Sequence, residues 1–253
     1  MMTTPIVNLG VRADVLDKGF VELLDYMPHP ATNVSGDLAI VNAARVSFMG
    51  ESKGEDADRK LLVYLLRHQH TSPFEQVQFK FRVNAPLLTY WQWIRHRTFH
   101  YQSVNSQSGR YTPFDENDFY VPSVWRQQSK SNKQASEGEL APEKSAELMQ
   151  KLLTHYDQGY NLYSEALEAG VSKEMARLFL PGFSVYYTWV MSVDALNLMN
   201  FLRLRMAPDA QYEIRVYAEV IYERFFKPAL PWTAQAFEQY ILGRGDASDP
   251  TTD

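Results

Sequence analysis

Seven residues about a third of the way along the chain limit its fold more than any others. Val77, Phe79, Phe81 and Val83 alternate with Gln78, Lys80 and Arg82, which is the two-residue period of a β-strand with one buried face. Such a strand needs a second layer to cover that face, and helical spacing flanks it on both sides. Upstream, Leu38, Val41 and Ala44 predict a helix from Asp37, and Leu61, Leu62, Leu65 and Leu66 predict an amphipathic one ending near His68. Downstream, Pro86 is expected at the first position of a helix with the stripe Leu87, Trp91 and Ile94, which carries Gln92 and Arg95 on a neighbouring face.

The same rules divide the rest of the chain. Residues 19–27 form an apolar strand stopped by Pro28 and Pro30. Pro142 opens a long helix with Leu148, Leu152, Tyr156 and Tyr163 in its stripe and Gly170 as its cap. Ser172 is placed as the N-cap of a short helix holding Arg177, and residues 183–193 read as a β-branched and aromatic strand. Asp194 caps a helix over 195–206, on which Asn197, Phe201 and Arg205 share a face with Asn200 beside it. Asp209 begins a further helix through Phe226, stopped by Pro228, and Thr233 starts a last short one. Residues 126–139 are polar and poor in apolar side chains, so a mobile excursion is expected there, inside a single domain of residues 1–243. Residues 244–253 read as a disordered acidic tail. The expected class is α+β: one mixed domain with an antiparallel sheet flanked by helices.

Composition narrows the chemistry. With 253 residues, 45% of them hydrophobic, there is ample material for a core. A formal net charge of −5 argues against a general nucleic-acid or acidic-membrane binder, so anion binding has to be local. The chain has no cysteine, which removes disulfides, Cys-based zinc sites and thiolate nucleophiles together. No apolar run approaches the roughly 18 residues of a membrane span, so a cytoplasmic location is expected. His68 and His70 diverge at i and i+2, and His96 and His100 lack the glutamate of a zinc helix, so no metal site is expected.

A local anion site is written between Arg95 and Tyr111. Arg95, His96 and Arg97 are adjacent, and Ser106, Ser108 and Gly109 stand directly before Arg110. Arginine presents a planar fork of donors that matches phosphate oxygens two at a time, and hydroxyls and backbone N–H groups serve the same anion. Alone, the basic triplet could equally be a solvated helix end that complements the helix dipole.

The segment resembles the signature of the flavin-dependent thymidylate synthases, in which R-H-R is followed by S-x-R-Y. The match is made by Arg95-His96-Arg97 and Ser108-Gly109-Arg110-Tyr111. The spacing between them is longer than the family's, which implies an insertion of about three residues around His100-Tyr101-Gln102. The resemblance extends from residue 16 to residue 237 and takes in A-A-R-V-S-F at 43–48 and H-T-S-P-F-E at 70–75. Its second half adds Ala176-Arg177, L-M-N-F-L-R-L-R at 198–205 and A-Q-Y-E-I-R at 210–215. The chain departs from the family's pattern at Ser106, at Asp194 and Leu196, and at Asp209, all positions that bear on the adenine end of the flavin.

The resemblance implies methylation of dUMP at C5 to dTMP, with methylenetetrahydrofolate as carbon donor, reduced FAD as hydride donor and NADPH as reductant. The usual thiolate attack at C6 is closed to a chain without cysteine, and the resemblance gives Arg205 the task of polarising the pyrimidine electrostatically. It assigns Gln92, Arg95, Ser106, Ser108, Gly109, Arg110, Arg177 and Arg205 to dUMP. Ser47, His70, Ser72, Glu75, Arg95, His96, Arg97, Asp194 and Asn200 go to FAD. A homotetramer with shared sites is implied, with no nucleic-acid or membrane partner. Two competing readings stand beside this one: a nucleotide- or RNA-binding protein stacking bases on Tyr101 and Tyr111, and a different flavoenzyme on the same scaffold.

Overall fold

The computed structural model describes residues 8–32, 34–97, 104–130, 132 and 136–244. The expected insertion at His100-Tyr101-Gln102 and nearly all of the acidic tail lie outside the described residues. In chain order the elements are β1 (Arg12–Val15), β2 (Gly19–Met27), α1 (Gly36–Arg45), α2 (Glu55–Arg67), β3 (Gln78–Pro86), α3 (Leu87–Trp93), β4 (Asn105–Ser106), β5 (Arg126–Gln128) and β6 (Ser136–Glu139). They continue with α4 (Pro142–Glu168), α5 (Lys173–Ala176), β7 (Tyr186–Asp194), α6 (Ala195–Arg205), α7 (Tyr212–Ile221), α8 (Lys227–Ala229) and α9 (Pro231–Tyr240).

The alternating strand is the centre of the molecule. β3 pairs antiparallel with β2 on one side and β7 on the other, in a five-stranded sheet of order β1-β2-β3-β7-β4. Phe81 lies opposite both Leu23 and Met191, so three apolar side chains line up across the sheet. On that face Val21, Phe79, Phe81, Val83 and Val193 are fully buried, and α6, α7 and the turn after α7 cover them with Phe201, Ile214, Tyr217, Ile221 and Phe226. Each fully buried phenylalanine contributes about 1.5–3 kcal/mol over its exposed state. The opposite face is solvated: Lys80 and Arg82 are exposed, and Arg82 Nε donates across the strands to Glu22 at 2.9 Å. A mixed α+β domain with an antiparallel sheet is what the pattern demanded.

A smaller cluster of Phe114, Phe119, Tyr156, Tyr163, Leu180 and Val185 holds α4 and α5 to the sheet's far end. Several details differ from expectation, among them the start of α7, which is Tyr212 and not Asp209. Pro86 ends β3 and precedes α3, and the buried tryptophan is Trp93, between Trp189 at 5.3 Å and Phe201 at 4.8 Å, while Trp91 is 51% exposed. Residues 126–139 contain a β5–β6 hairpin, which an Arg126–Glu213 ion pair ties to α7. Pro228 does not stop the helix: a π-type turn over Tyr222–Phe226 links α7 to α8, with Lys227 N–H donating to Tyr222 O, and so accommodates a ring that lacks its own donor. The last helix begins at Pro231, with Thr233 inside its first turn.

Candidate active site

α6 carries the key cation. Asp194 caps its first turn, accepting from Asn197 N–H at 2.8 Å, and buried Leu198, Phe201 and Leu202 fix the rotation of the helix against the core. Arg205, one turn beyond Phe201, therefore emerges at the C-terminal end, where the helix dipole favours a positive charge. Its Nε donates to His96 Nε2 at 2.7 Å and its Nη2 to Gln92 O at 3.3 Å. An arginine can only donate, so His96 accepts at Nε2 and carries its proton on Nδ1. His96 is 6% exposed and packs edge-on against Phe201. Burial first, and then the neighbouring Arg205 charge, lowers its pKa to about 4. The imidazole is thus neutral near pH 7 and orients the guanidinium without repelling it. Arg205 and Gln92 share the lining of a cleft of about 650 Å³, which Arg126, Gln128, Asp209 and Tyr212 help to enclose.

The basic triplet divides by burial: Arg95 and Arg97 are exposed and His96 is buried. The chain then returns as β4, pairing Ser106 with Trp189 of β7, and Tyr187 OH donates to Ser106 Oγ at 2.8 Å. After β4 the loop tightens. Arg110 N–H donates to Ser108 Oγ at 3.3 Å, and Gly109 lies so close to Phe114 that a Cβ would stand 2.5 Å from its ring. The α5 turn docks on this loop: Lys173 Nζ donates to Tyr111 O at 3.0 Å, and Arg110 Nε lies 3.4 Å from Glu174. Arg177 Nε donates to the carbonyl of the same Glu174 at 3.1 Å. Both arginines therefore touch Glu174, Arg110 at its carboxylate and Arg177 at its main-chain carbonyl.

A second cleft, of about 310 Å³, opens beside α6. Leu66, Met199 and Phe237 give it an apolar floor, and Thr71, Asn200 and Arg203 a polar rim. Arg203 Nη2 donates to Asn200 Oδ1 at 3.1 Å. His70 and Ser72, next to Thr71 in the chain, are both exposed. Ser47 is exposed on a 3₁₀ turn after α1 whose neighbours Val46, Phe48 and Met49 are exposed too.

Residues 22–232 match the family described as thymidylate synthase complementing protein. A flavin-dependent thymidylate synthase of Thermus thermophilus is 47% identical over 228 residues, covering 90% of this chain and 78% of the relative. One of Thermotoga neapolitana is 42% identical over 236 residues, covering 93% and 98%. The chain belongs to the flavin-dependent thymidylate synthase family. Among solved structures, a UMP/dUMP methylase PolB from Streptomyces cacaoi bound with 5-Br dUMP superposes with a TM-score of 0.76 at 31% identity, covering 90% of this chain and 98% of that one.

For a member of the flavin-dependent thymidylate synthases, several of the sequence-derived site residues fall into three groups: Gln92 and Arg205 at one cleft, with His96 bonded to Arg205; Arg110 and Arg177 at Glu174; and Asn200 at the other cleft. Asp194 stands apart. It is fully buried, and its Oδ2 accepts from Asn197 Nδ2 at 2.6 Å, so the structure uses it as a helix cap and does not present it to a ligand. Glu75 is exposed in the turn before β3. Sequence reasoning missed Glu174, Thr71, Arg203 and Arg126. Thr71 stood inside a matched motif and was open to it, whereas Arg126 and Glu174 carry no local signal.

Proposed function

We propose that the protein is a methyltransferase that converts dUMP to dTMP, taking carbon from methylenetetrahydrofolate and a hydride from reduced FAD, with NADPH as reductant, in the cytoplasm. The observation that carries the reading is Arg205, held by neutral His96 and the Gln92 carbonyl at the wall of the 650 Å³ cleft. C5 of uracil is a poor nucleophile, and no cysteine is available to activate it by addition at C6. Arg205 stabilises the electron-rich pyrimidine instead, as a permanent charge that needs no reorganisation when negative charge develops. Arg110 and Arg177, with Ser108 Oγ and the Gly109 backbone, hold the phosphate and sugar, and Gln92 and Ser106 complete the nucleotide site.

The second cleft fits a flat ring with polar edges, having an apolar floor and amide, hydroxyl and guanidinium donors at its rim. Asn200 of this cleft, together with His70, Ser72, Glu75 and Ser47 and the basic triplet Arg95, His96 and Arg97, would hold the FAD. The bound flavin supplies the hydride, which no amino-acid side chain can do. We also read the assembly as a homotetramer with shared sites.

Arg205→Ala tests the core of the proposal. Turnover of dUMP falls by about 10²–10³, the loss typical of one preorganised donor, while flavin reduction by NADPH continues. Measuring dTMP formation and flavin reduction in the same variant separates the readings: unchanged dTMP formation removes Arg205 from the chemistry.

A further inference from the structure

The face shared by α2 and α9 has a composition at odds with the rest of the protein. On α2 and its C-cap, Lys60, Tyr64, Arg67 and His68 recur at helical spacing, with Arg59 and Val63 beside them. On α9, Trp232, Gln235, Gln239 and Tyr240 face them across a groove of about 590 Å³. Three permanent cations, a histidine and three aromatic rings line it, and no carboxylate does, in a chain whose net charge is −5. Among the described residues Arg59, Lys60 and Arg67 have no carboxylate at ion-pair distance. The acids of α2, Glu55, Asp56 and Asp58, all stand in its first turn, outside the groove.

The groove is built as well as charged. Arg59 bridges the two helices through a hydrogen bond to Gln235 Oε1. The Arg67 guanidinium lies over the Tyr240 ring at 5.3 Å, a cation–π contact that uses the ring's face and none of the guanidinium's N–H donors in a conventional hydrogen bond. Tyr64 is 49% exposed, its ring 4.2 Å from that of His68 and 5.9 Å from that of His70. The row of rings therefore runs out of the groove into the 70–75 segment assigned above to the flavin.

We propose that the α2–α9 groove is a binding site for a flat-ringed polyanion, which it takes by stacking on Trp232, Tyr64 or Tyr240 and by charge on Lys60, Arg67 and Arg59. A solvated helix face explains scattered charges; it does not explain a concave, carboxylate-free set of cations facing half-buried aromatics. Two substrates of the proposed reaction have this chemistry, a phosphorylated nicotinamide dinucleotide and a folate with a glutamate tail. The position next to His70 places either one beside the flavin, and in that respect the proposal rests on the functional reading above.

The test titrates the full-length protein with adenosine 2′,5′-bisphosphate and, separately, with pentaglutamyl folate, by calorimetry and by quenching of tryptophan fluorescence. At least one probe binds the unaltered protein, more weakly as salt rises. Lys60→Glu with Arg67→Glu weakens that binding by about ten- to hundred-fold, as loss of charged hydrogen bonds does, and Lys60→Gln with Arg67→Gln weakens it less. Binding of the bisphosphate alone assigns the groove to the reductant, of the folate alone to the carbon donor, and of both to the shared chemistry. If neither probe binds, or if the charge-reversed protein binds as well as the original, the proposal fails. Titrations of dUMP and FAD on the same proteins stay unchanged, so failure of the groove and failure of the functional reading give different results.

Discussion

Arg205 and His96 are joined by one hydrogen bond, and pH acts on it through the imidazole. The folded protein holds the His96 pKa near 4, against an ordinary value of 6.5. Between those values the unfolded chain binds a proton that the folded one refuses, so stability rises with pH across that window. The contribution is complete above about 6.5 and is lost as pH falls towards 4, where a protonated His96 can no longer accept from Arg205 and two cations face each other. Thermal unfolding followed from pH 7 down to 4 should therefore show a loss that His96→Gln, which keeps an acceptor and cannot titrate, reduces. An equal acid loss in the variant assigns the effect to other groups. In the loop after β4, the Glu174 carboxylate lies 3.4 Å from Arg110, the residue proposed to bind the dUMP phosphate. Arg110→Ala weakens dUMP binding by about ten- to hundred-fold. Glu174→Gln tightens it by no more than about fivefold, because an exposed ion pair contributes up to about 1 kcal/mol. Calorimetric dUMP titrations check both, and weaker binding in Glu174→Gln would make Glu174 a positive part of the site.

At the scale of elements, α9 depends on a residue far away in the chain. The first N–H groups of a helix have no partner within it, and here Asp37 of α1 accepts from Trp232 N–H at 2.8 Å, Thr233 N–H at 3.0 Å and Thr233 Oγ1 at 2.6 Å. Burial outweighs these bonds and raises the Asp37 pKa to about 6. Asp37→Ala leaves three buried donors without that partner and lowers stability by about 3–5 kcal/mol, read from urea unfolding. A change under about 1 kcal/mol would show that water replaces the carboxylate. This contact also marks the limit of what the sequence discloses. β3, α1, α2, α4 and α6 were legible because each is written in its own side-chain period, and the Asp194 cap because donor and acceptor are three residues apart. The Asp37 cap, the Arg126–Glu213 tie that seats a hairpin with no apolar pattern, and the choice of Trp93 over Trp91 all depend on partners distant in sequence. The site divides in the same way. Arginines and serines suggest an anion by their chemistry, but the contact of Arg110 with Glu174 and the bond between His96 and Arg205 join residues distant in sequence and exist only in the folded chain.

At the scale of the whole molecule, two groups of exposed apolar side chains among the described residues stand beside residues of the candidate site. Leu178 is 79% exposed and Phe183 71%, on either side of the turn that follows Arg177, and Met175 is 57% exposed on α5. Val46 at 69%, Phe48 at 62% and Met49 at 88% surround Ser47. Single exposed apolar side chains are ordinary, whereas groups of them are the kind of surface that an interface covers. In a homotetramer they would be buried, bringing Arg177 of one subunit and Ser47 of another to the edge of a shared site. Leu178→Glu places a charge in that contact, where it would be desolvated without a partner. The variant should sediment as a smaller species than the original protein and lose dTMP formation, while its monomer fold, seen by circular dichroism, persists because Leu178 belongs to no core cluster. A variant of unchanged mass and activity would show that this surface stays open to solvent and that each chain builds its nucleotide site alone.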